Sequence, residues 1–443
     1  MLRAIFVIGL SIIGIVASFY GSFNTLMFYF WLAYFRPESW IWYNFLSAFN
    51  LSLFCGIFLL ISTLFTGVKF RFNLFTGLLF LAAVHSLISA LQSNYSSVSL
   101  SYWVDFFKVI VISYLITIII RSEKDFKIAL IVISLSLGLE GAKQGWAQLI
   151  LNPGAANNNT NPVLGDNNGV AVGMLMLVPV LFALYQTTER KLFKYGFLFL
   201  AIGVIYRALS TYSRGGFLSF LVMCVIYWLQ SKHKVRTLIL IVLLAAMLLP
   251  VFPQSFWDRM DTITVEEGEQ REESSAGRLH YWSVAWEMAK SNRIFGVGHN
   301  AYREAYNYYD YSGGRYGRER AAHSAWFGIL ADWGFIGLVL FLSIYFYSLL
   351  CCVRTRNSYK NNPELKSLGI YGNQIAISLI TGSVGITFLA AQYLEMLWHF
   401  FALAFLCNQI LKSQYACHIA KDITENKEEI KTIEVQFNAY TCI

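Results

Sequence analysis

Apolar residues in this chain come in runs of about 20, the length that crosses a bilayer core as a helix, with short polar stretches between them. The clearest runs cover residues 46–65, 104–120, 126–150, 169–185, 215–229, 235–252 and 326–351. A closed barrel also satisfies backbone groups in lipid, but barrels show short alternating segments, and these runs do not alternate. The pattern therefore predicts an all-α polytopic membrane protein. Residues 1–20 combine a basic start with an apolar run and lack a small-residue cleavage site before a polar domain, so they are expected as the first membrane helix. Residues 1–45 hold one helix plus a partial one, or two short ones. The stretch 369–411 is long enough for two more, which brings the expected total to about 12 or 13 spans.

Charge then orients the bundle. Lys and Arg collect in alternate loops: Lys69 and Arg71; Arg121, Lys124 and Lys127; Arg190, Lys191 and Lys194; Lys232, Lys234 and Arg236; Arg354, Arg356 and Lys360; and the tail with Lys412, Lys421, Lys427 and Lys431. The intervening stretches 92–102 and 151–168 contain neither residue. That alternation is the positive-inside signature and makes the basic loops cytoplasmic. The formal net charge of +8 is spent on orientation and gives no reason to expect a nucleic-acid partner. Composition agrees: 14% of the 443 residues are charged, against about 25% in soluble chains, and mean hydropathy is +0.51. Of the seven cysteines, Cys55, Cys224, Cys351, Cys352 and Cys407 fall in or beside apolar runs and Cys417 and Cys442 in the tail. None has metal-site spacing, so packing is their expected role.

Four segments follow: a helix bundle over 1–252, a large outer loop over 253–322, carboxy-terminal membrane helices over 323–411, and a cytoplasmic tail over 412–443. The large loop begins with an acidic run (Glu266, Glu267, Glu269, Glu272, Glu273). It continues with an amphipathic pattern through 278–290 that puts Leu279, Trp282, Ala285, Trp286 and Ala289 on one face. Its remainder is rich in Tyr and Arg, and a loop this long in a compact protein is usually functional or disordered. The smaller outer stretch 151–168 is rich in Asn, Pro and Gly and is a loop by its turn chemistry.

Ionisable residues placed against the charge trend are the candidates for chemistry, because each needs a reason to be there. Arg214 sits in Ser213-Arg214-Gly215-Gly216, a minimal outer turn whose glycines allow close approach of a ligand. A guanidinium there suits bidentate contact with phosphate oxygens, and the competing role is an interfacial snorkelling arginine. His323, in Ala322-His323-Ser324-Ala325-Trp326, suits a base for a sugar hydroxyl near neutral pH; the alternative is a histidine satisfying polar groups at a helix start. Lys108 follows Asp105 at i,i+3, either as a neutral helix pair or as a cation aimed at the outer cavity. Glu140 with Lys143 favours the structural pair. Arg278 and the group Arg315, Arg318 and Arg320 are cation candidates that serve equally well as solvated loop charges. Asp166 is placed to cap a helix before Gly169. Glu395 and His399 share a helix face of unknown direction. There is no Walker loop, dinucleotide fingerprint or HExxH sequence, which removes nucleotide-driven transport and zinc hydrolysis as first readings.

Taken in order, several segments resemble the O-antigen ligase and polymerase superfamily of the bacterial inner membrane. They are Ser213-Arg214-Gly215-Gly216; Gly277-Arg278 with Trp282 and Ala285; Ile294-Phe295-Gly296-Val297-Gly298; His323-Ser324; and Trp333-Gly334-Phe335-Ile336-Gly337. The match runs over about residues 150–410 and rests on their order, the large loop between them and the helix count. Two further stretches, Tyr34-Phe35-Arg36-Pro37-Glu38-Ser39-Trp40 and Gly165-Asp166-Asn167-Asn168, look more like the branch called exosortase-associated O-glycosylation ligases. The resemblance implies a C-type membrane glycosyltransferase that needs no metal or other cofactor. It would take glycan from undecaprenyl-pyrophosphate with inversion and pass it to a glycan, lipid or protein acceptor at the periplasmic face. It further implies that His323 is the general base and that Arg214 holds the pyrophosphate, with Arg278 and Lys108 as weaker candidates for that task. His299, directly after Gly298, departs from the small or variable residue expected there. A polymerase of the same fold and a protein O-oligosaccharyltransferase remain alternatives. A lipid-linked glycan flippase would need no base and would usually show inverted repeats.

Overall fold

A computed structural model describes residues 2–40, 51–248, 275–358 and 365–415. The acidic run from Glu266 to Glu273, the loop before residue 275, Lys360, Cys417, Cys442 and the tail lysines from Lys421 onward lie outside the described residues. Within them the chain is helical, and the one strand-like feature is an isolated bridge between Asn161 and Gly165.

The amino-terminal region resolves into the two-short-helix alternative: α1 (Leu2–Ser18) and α2 (Ser22–Phe35), followed by a 3-10 turn at Pro37–Trp40. Next come α3 (Leu51–Phe65), α4 (Leu74–Gln92), α5 (Ser96–Ile119) and α6 (Glu123–Leu151). After the Asn-rich loop follow α7 (Asn167–Thr187), α8 (Lys191–Leu209), α9 (Arg214–Gln230) and α10 (Lys234–Leu248). The large loop contributes α11 (Ser275–Ser291) and α12 (Tyr302–Tyr309). The chain ends in α13 (Ala325–Ser358), α14 (Lys366–Ile386) and α15, residues 395–415. Polar side chains set several starts. Asn73 and Thr76 form a reciprocal capping box on α4, and Ser122, Asp166 and Ser213 cap α6, α7 and α9.

Five helices, α4, α5, α7, α8 and α13, are long and apolar enough to cross a membrane, and residues 3–18, 51–65 and 214–230 form shorter apolar helices. The chain is a multi-pass membrane protein, with fewer full-length spans among the described residues than the 12 expected. Length is the reason: α1 and α2 have 17 and 14 residues, where about 20 are needed. At the centre stands α7, buried on nearly every side from Gly169 to Leu184 and enclosed by α6, α8, α9 and α14. Its neighbours α6 and α8 cross closely at two glycines. A side-chain carbon on Gly145 would lie 1.8 Å from the Gly203 carbonyl oxygen, which is how small residues let membrane helices associate without a hydrophobic drive. Arg3 and Lys143 both lie over the ring of Trp40, at 4.1 and 5.5 Å, so the start of α1 and the far end of α6 share one end of the bundle.

The described part of the large loop is a small helical unit with its own core, built from Tyr281, Val284, Ala285 and Met288 of α11 against Tyr302, Ala305 and Tyr306 of α12. The amphipathic prediction for α11 is right in kind and wrong in angle. Leu279 and Trp286 are exposed, and the buried stripe is 281, 284, 285 and 288. Trp282 and Trp286 form a second stripe, which meets Phe327, Phe335 and Phe388 instead. The aromatics outside the loop, which the sequence pattern does not display, draw the tryptophans away from the loop core.

Candidate functional site

The long helix α13 breaks at Gly334, whose φ of 70° belongs to the left-handed region. A break inside a membrane helix frees carbonyls that must find donors. Val297 N–H donates to the Ala331 carbonyl at 2.9 Å and Gly298 N–H to that of Asp332 at 3.2 Å. Ser89 also donates to Asp332 O at 2.8 Å, and His85 Nε2 lies 2.8 Å from Trp333 O. In return Phe335 N–H donates to the Arg293 carbonyl at 2.9 Å. The Gly-containing motifs at 294–298 and 333–337 are thus two halves of one joint, which docks the loop unit on the bundle.

Two buried groups complete the joint. The Asp332 carboxylate, fully buried, accepts from Tyr302 N–H at 2.9 Å and from the Tyr393 hydroxyl at 2.9 Å, so it caps α12 from another helix. His299 accepts from Trp333 Nε1–H at 3.1 Å and packs against Phe106 and Tyr393. Burial holds its imidazole down at about 3, and it stays neutral across physiological pH. His299, left open by the sequence, is a packing and hydrogen-bonding residue of this joint.

Above the joint the candidate residues converge on an aromatic shelf. Arg278, early in α11, has its guanidinium carbon 6.0 Å from the Phe388 ring centroid. Trp282, one turn on, lies 6.2 Å from the same ring and stacks on Phe327 at 5.1 Å. Gly215 closes on Phe388 from α9, where a side-chain carbon would lie 3.3 Å from Phe388 Cβ. Arg214, half-buried, is the first residue of that helix, so its charge adds to the positive end of the helix dipole. His323 stands just before α13, its ring 5.7 Å from that of Tyr281. Its φ of 47° is left-handed, a conformation that is uncommon outside glycine and accompanies functional constraint. Residues separated by more than a hundred positions in sequence thus share one aromatic surface.

The stretch 165–168 supports this turn. Asp166 takes the capping role, accepting from Gly169 N–H at 2.9 Å. Ser213 accepts from Gly216 N–H at 3.2 Å while donating to Asn168 Oδ1 at 2.7 Å. Arg207 escaped the sequence reading. It is 1% exposed and donates to the carbonyls of Asn157 at 2.9 Å and Asn159 at 2.6 Å, pinning the Asn-rich loop beside the turn. A lone arginine inside an apolar run was the available signal.

The other candidates fall elsewhere. Arg315 and Arg318 are exposed, with Arg315 lying over Tyr316 at 5.8 Å. Arg320 Nε–H donates to Tyr316 O at 3.1 Å. Their turn is tied to α11 by a second unforeseen pair, His280 with Asp310 at 2.8 Å, both side chains 5% exposed. Burial pushes the Asp310 carboxyl up, but hydrogen bonds from Ser312, His280 and Gly314 outweigh it and hold the carboxyl below the usual range. Lys108 is paired with Asp105 at 2.8 Å and lines a cavity whose walls include neither Arg214, Arg278 nor His323. Glu140 and Lys143 form a 3.6 Å pair. Glu395 and His399 point inward, to Tyr29 at 2.7 Å and Tyr34 at 3.0 Å respectively.

An imidazole, two guanidinium groups and a helix start around stacked rings suit a substrate that combines a phosphate with sugars. Comparison with protein-family models gives two matches. Residues 196–342 match the model described as O-antigen ligase, and residues 2–185 match a family of unknown function. No curated protein matches the chain. The first match spans Arg214, Arg278, His323 and the Gly334 joint, and the second ends before all four.

Proposed function

The chain belongs to the O-antigen ligase superfamily through residues 196–342, and from that premise we propose that it is a metal-independent inverting glycosyltransferase of the bacterial inner membrane. Its donor is a glycan on undecaprenyl-pyrophosphate, and its acceptor is a hydroxyl presented at the periplasmic face. The observation that carries this reading is the gathering of Arg278, Gly215 beside Arg214, and the ring packed against His323 on the Trp282–Phe327–Phe388 shelf.

In this reading His323 accepts the proton of the acceptor hydroxyl as its oxygen attacks the anomeric carbon from the face opposite the leaving group. The bond from that carbon to the pyrophosphate oxygen breaks, and the released undecaprenyl-pyrophosphate keeps the bonding pair. Arg214 and Arg278 neutralise the charge that grows on the leaving group, a term that is often the largest in such reactions. The shelf stacks the sugar rings.

The test is glycan transfer by the purified full chain, with a polyprenyl-pyrophosphate oligosaccharide and a panel of lipid, glycan and protein acceptors. Product is expected with and without EDTA, and Arg214→Gln and Arg278→Gln should each lower turnover by about 100-fold or more. The productive acceptor separates ligase, polymerase and protein O-oligosaccharyltransferase. Absence of product with every acceptor, together with passage of the lipid-linked glycan across liposome membranes, would overturn the reading in favour of a flippase.

A further inference from the structure

The cavity that holds Lys108 has a volume of about 710 Å³, within the usual range for ligand sites, and glycan transfer gives it no task. One side is apolar: Leu53, Ile57 and Leu60 of α3 face Val109 and Ile112 of α5. Leu53, Ile57, Leu60 and Phe107 are also exposed on the outside of the bundle, so this wall runs on into the lipid-facing surface. The other side is charged. Arg36 stands 3.7 Å from Glu38, Lys108 stands 2.8 Å from Asp105, and Glu395 accepts from the Tyr29 hydroxyl. Access from the lipid, an apolar wall and a polar end together describe a site for a membrane amphiphile.

The charges specify its head group. Arg36 offers five N–H donors and Lys108 three. Arg36 has a single carboxylate contact, and its Nε–H is buried without a hydrogen-bond partner among the described residues. Such a donor lacks an acceptor and is satisfied by a phosphate oxygen. The side chain is held in place because Arg36 closes α2 in a left-handed turn, its N–H bonded to Leu32 O, with Pro37 next and Trp40 stacked on Phe35. Against these two cations stand three carboxylates, Glu38, Asp105 and Glu395. A purely anionic head would set its phosphate beside carboxylates in excess. A quaternary ammonium has no N–H to give them. A phosphate followed by a primary ammonium matches both halves.

We propose that this cavity binds a glycerophospholipid with a primary-ammonium head, of the phosphatidylethanolamine class. Arg36 and Lys108 hold the phosphate, Glu38, Asp105 and Glu395 receive the ammonium, and the acyl chains lie along α3 and α5. At its inner end the site meets His299, Asn300 and Tyr393, so an occupied cavity braces the joint that carries the loop unit and stabilises the fold by mass action.

The experiment is native mass spectrometry and thermal unfolding of the delipidated full chain, with phosphatidylethanolamine, phosphatidylglycerol or phosphatidylcholine added separately. Phosphatidylethanolamine should stay bound and raise the unfolding temperature, with a preference of about tenfold over the other two, the order of one charged hydrogen bond. Gly56→Leu fills the cavity, since a side-chain carbon there meets only Tyr29, at 3.9 Å; it should fold without lipid and lose the preference. Glu38→Gln should retain phosphatidylethanolamine about tenfold less well. Equal retention of the three lipids overturns the proposal, as does a preference that survives Gly56→Leu. The readout is independent of glycan transfer, so failure of either idea is visible without the other.

Discussion

His323 has a left-handed backbone, with φ of 47°, and this separates its chemical role from its conformational one. For a residue with a side chain that conformation costs about 1–2 kcal/mol, and glycine adopts it freely. His323→Ala removes the imidazole and keeps the strain, whereas His323→Gly removes both. Glycine also gains freedom in the opened state, worth about 0.4–1 kcal/mol against it. Taking the middle of each range, the Gly variant should be more stable locally than the Ala variant by about 0.8 kcal/mol, roughly fourfold in an opening equilibrium. Both lose the ring contact with Tyr281, so that loss cancels in the comparison. Amide hydrogen exchange at the start of α13 measures the opening directly, and glycan transfer measures the chemistry. Transfer should be abolished alike in both variants while exchange is about fourfold slower with Gly. Equal or faster exchange with Gly would refute the strain argument, and transfer surviving in either variant would remove His323 from the role of base.

Two further outcomes test the joint beneath the site. A methyl group at Gly334 would lie 2.6 Å from the Arg293 carbonyl oxygen at a φ of 70°, so Gly334→Ala should destabilise by about 1–3 kcal/mol from overpacking, with backbone strain in addition, visible as a lower unfolding temperature. His299 takes up a proton when unfolded as pH falls below its ordinary value but stays neutral when folded down to about 3. Its contribution is therefore in place above about pH 6.5 and is lost as pH falls, by about 2 kcal/mol at pH 5. His299→Asn keeps an acceptor for Trp333, and its stability should fall less steeply than the wild type's between about pH 7 and 5; a parallel decline in the two proteins would contradict the buried neutral imidazole.

The sequence by itself determined that the chain is a helical membrane protein, because the period and length of apolar runs are local properties set by the bilayer and the helix rise. It also located most helices, their caps at Asn73, Ser122, Asp166 and Ser213, and the turn at Arg214. The charged pairs Asp105–Lys108 and Glu140–Lys143 were equally legible, because i,i+3 neighbours on a helix meet whatever else the chain does. Tertiary structure alone decided the rest. Phe388 gives no sign in sequence that it forms the shelf for Trp282, Arg278 and Gly215. Asp332 reads as an isolated acid in an apolar helix until Tyr302 and Tyr393 arrive from elsewhere to satisfy it. The face of α11 was misjudged because two aromatic stripes compete for it, and only the position of Phe327 and Phe335 settles which turns inward. The glycines of 294–298 and 333–337 were visible, but their meaning lies in the broken helix whose carbonyls they allow the loop to reach. Local pattern encodes the elements, whereas contacts between segments far apart in the chain create the site, and a single sequence carries no direct record of those contacts.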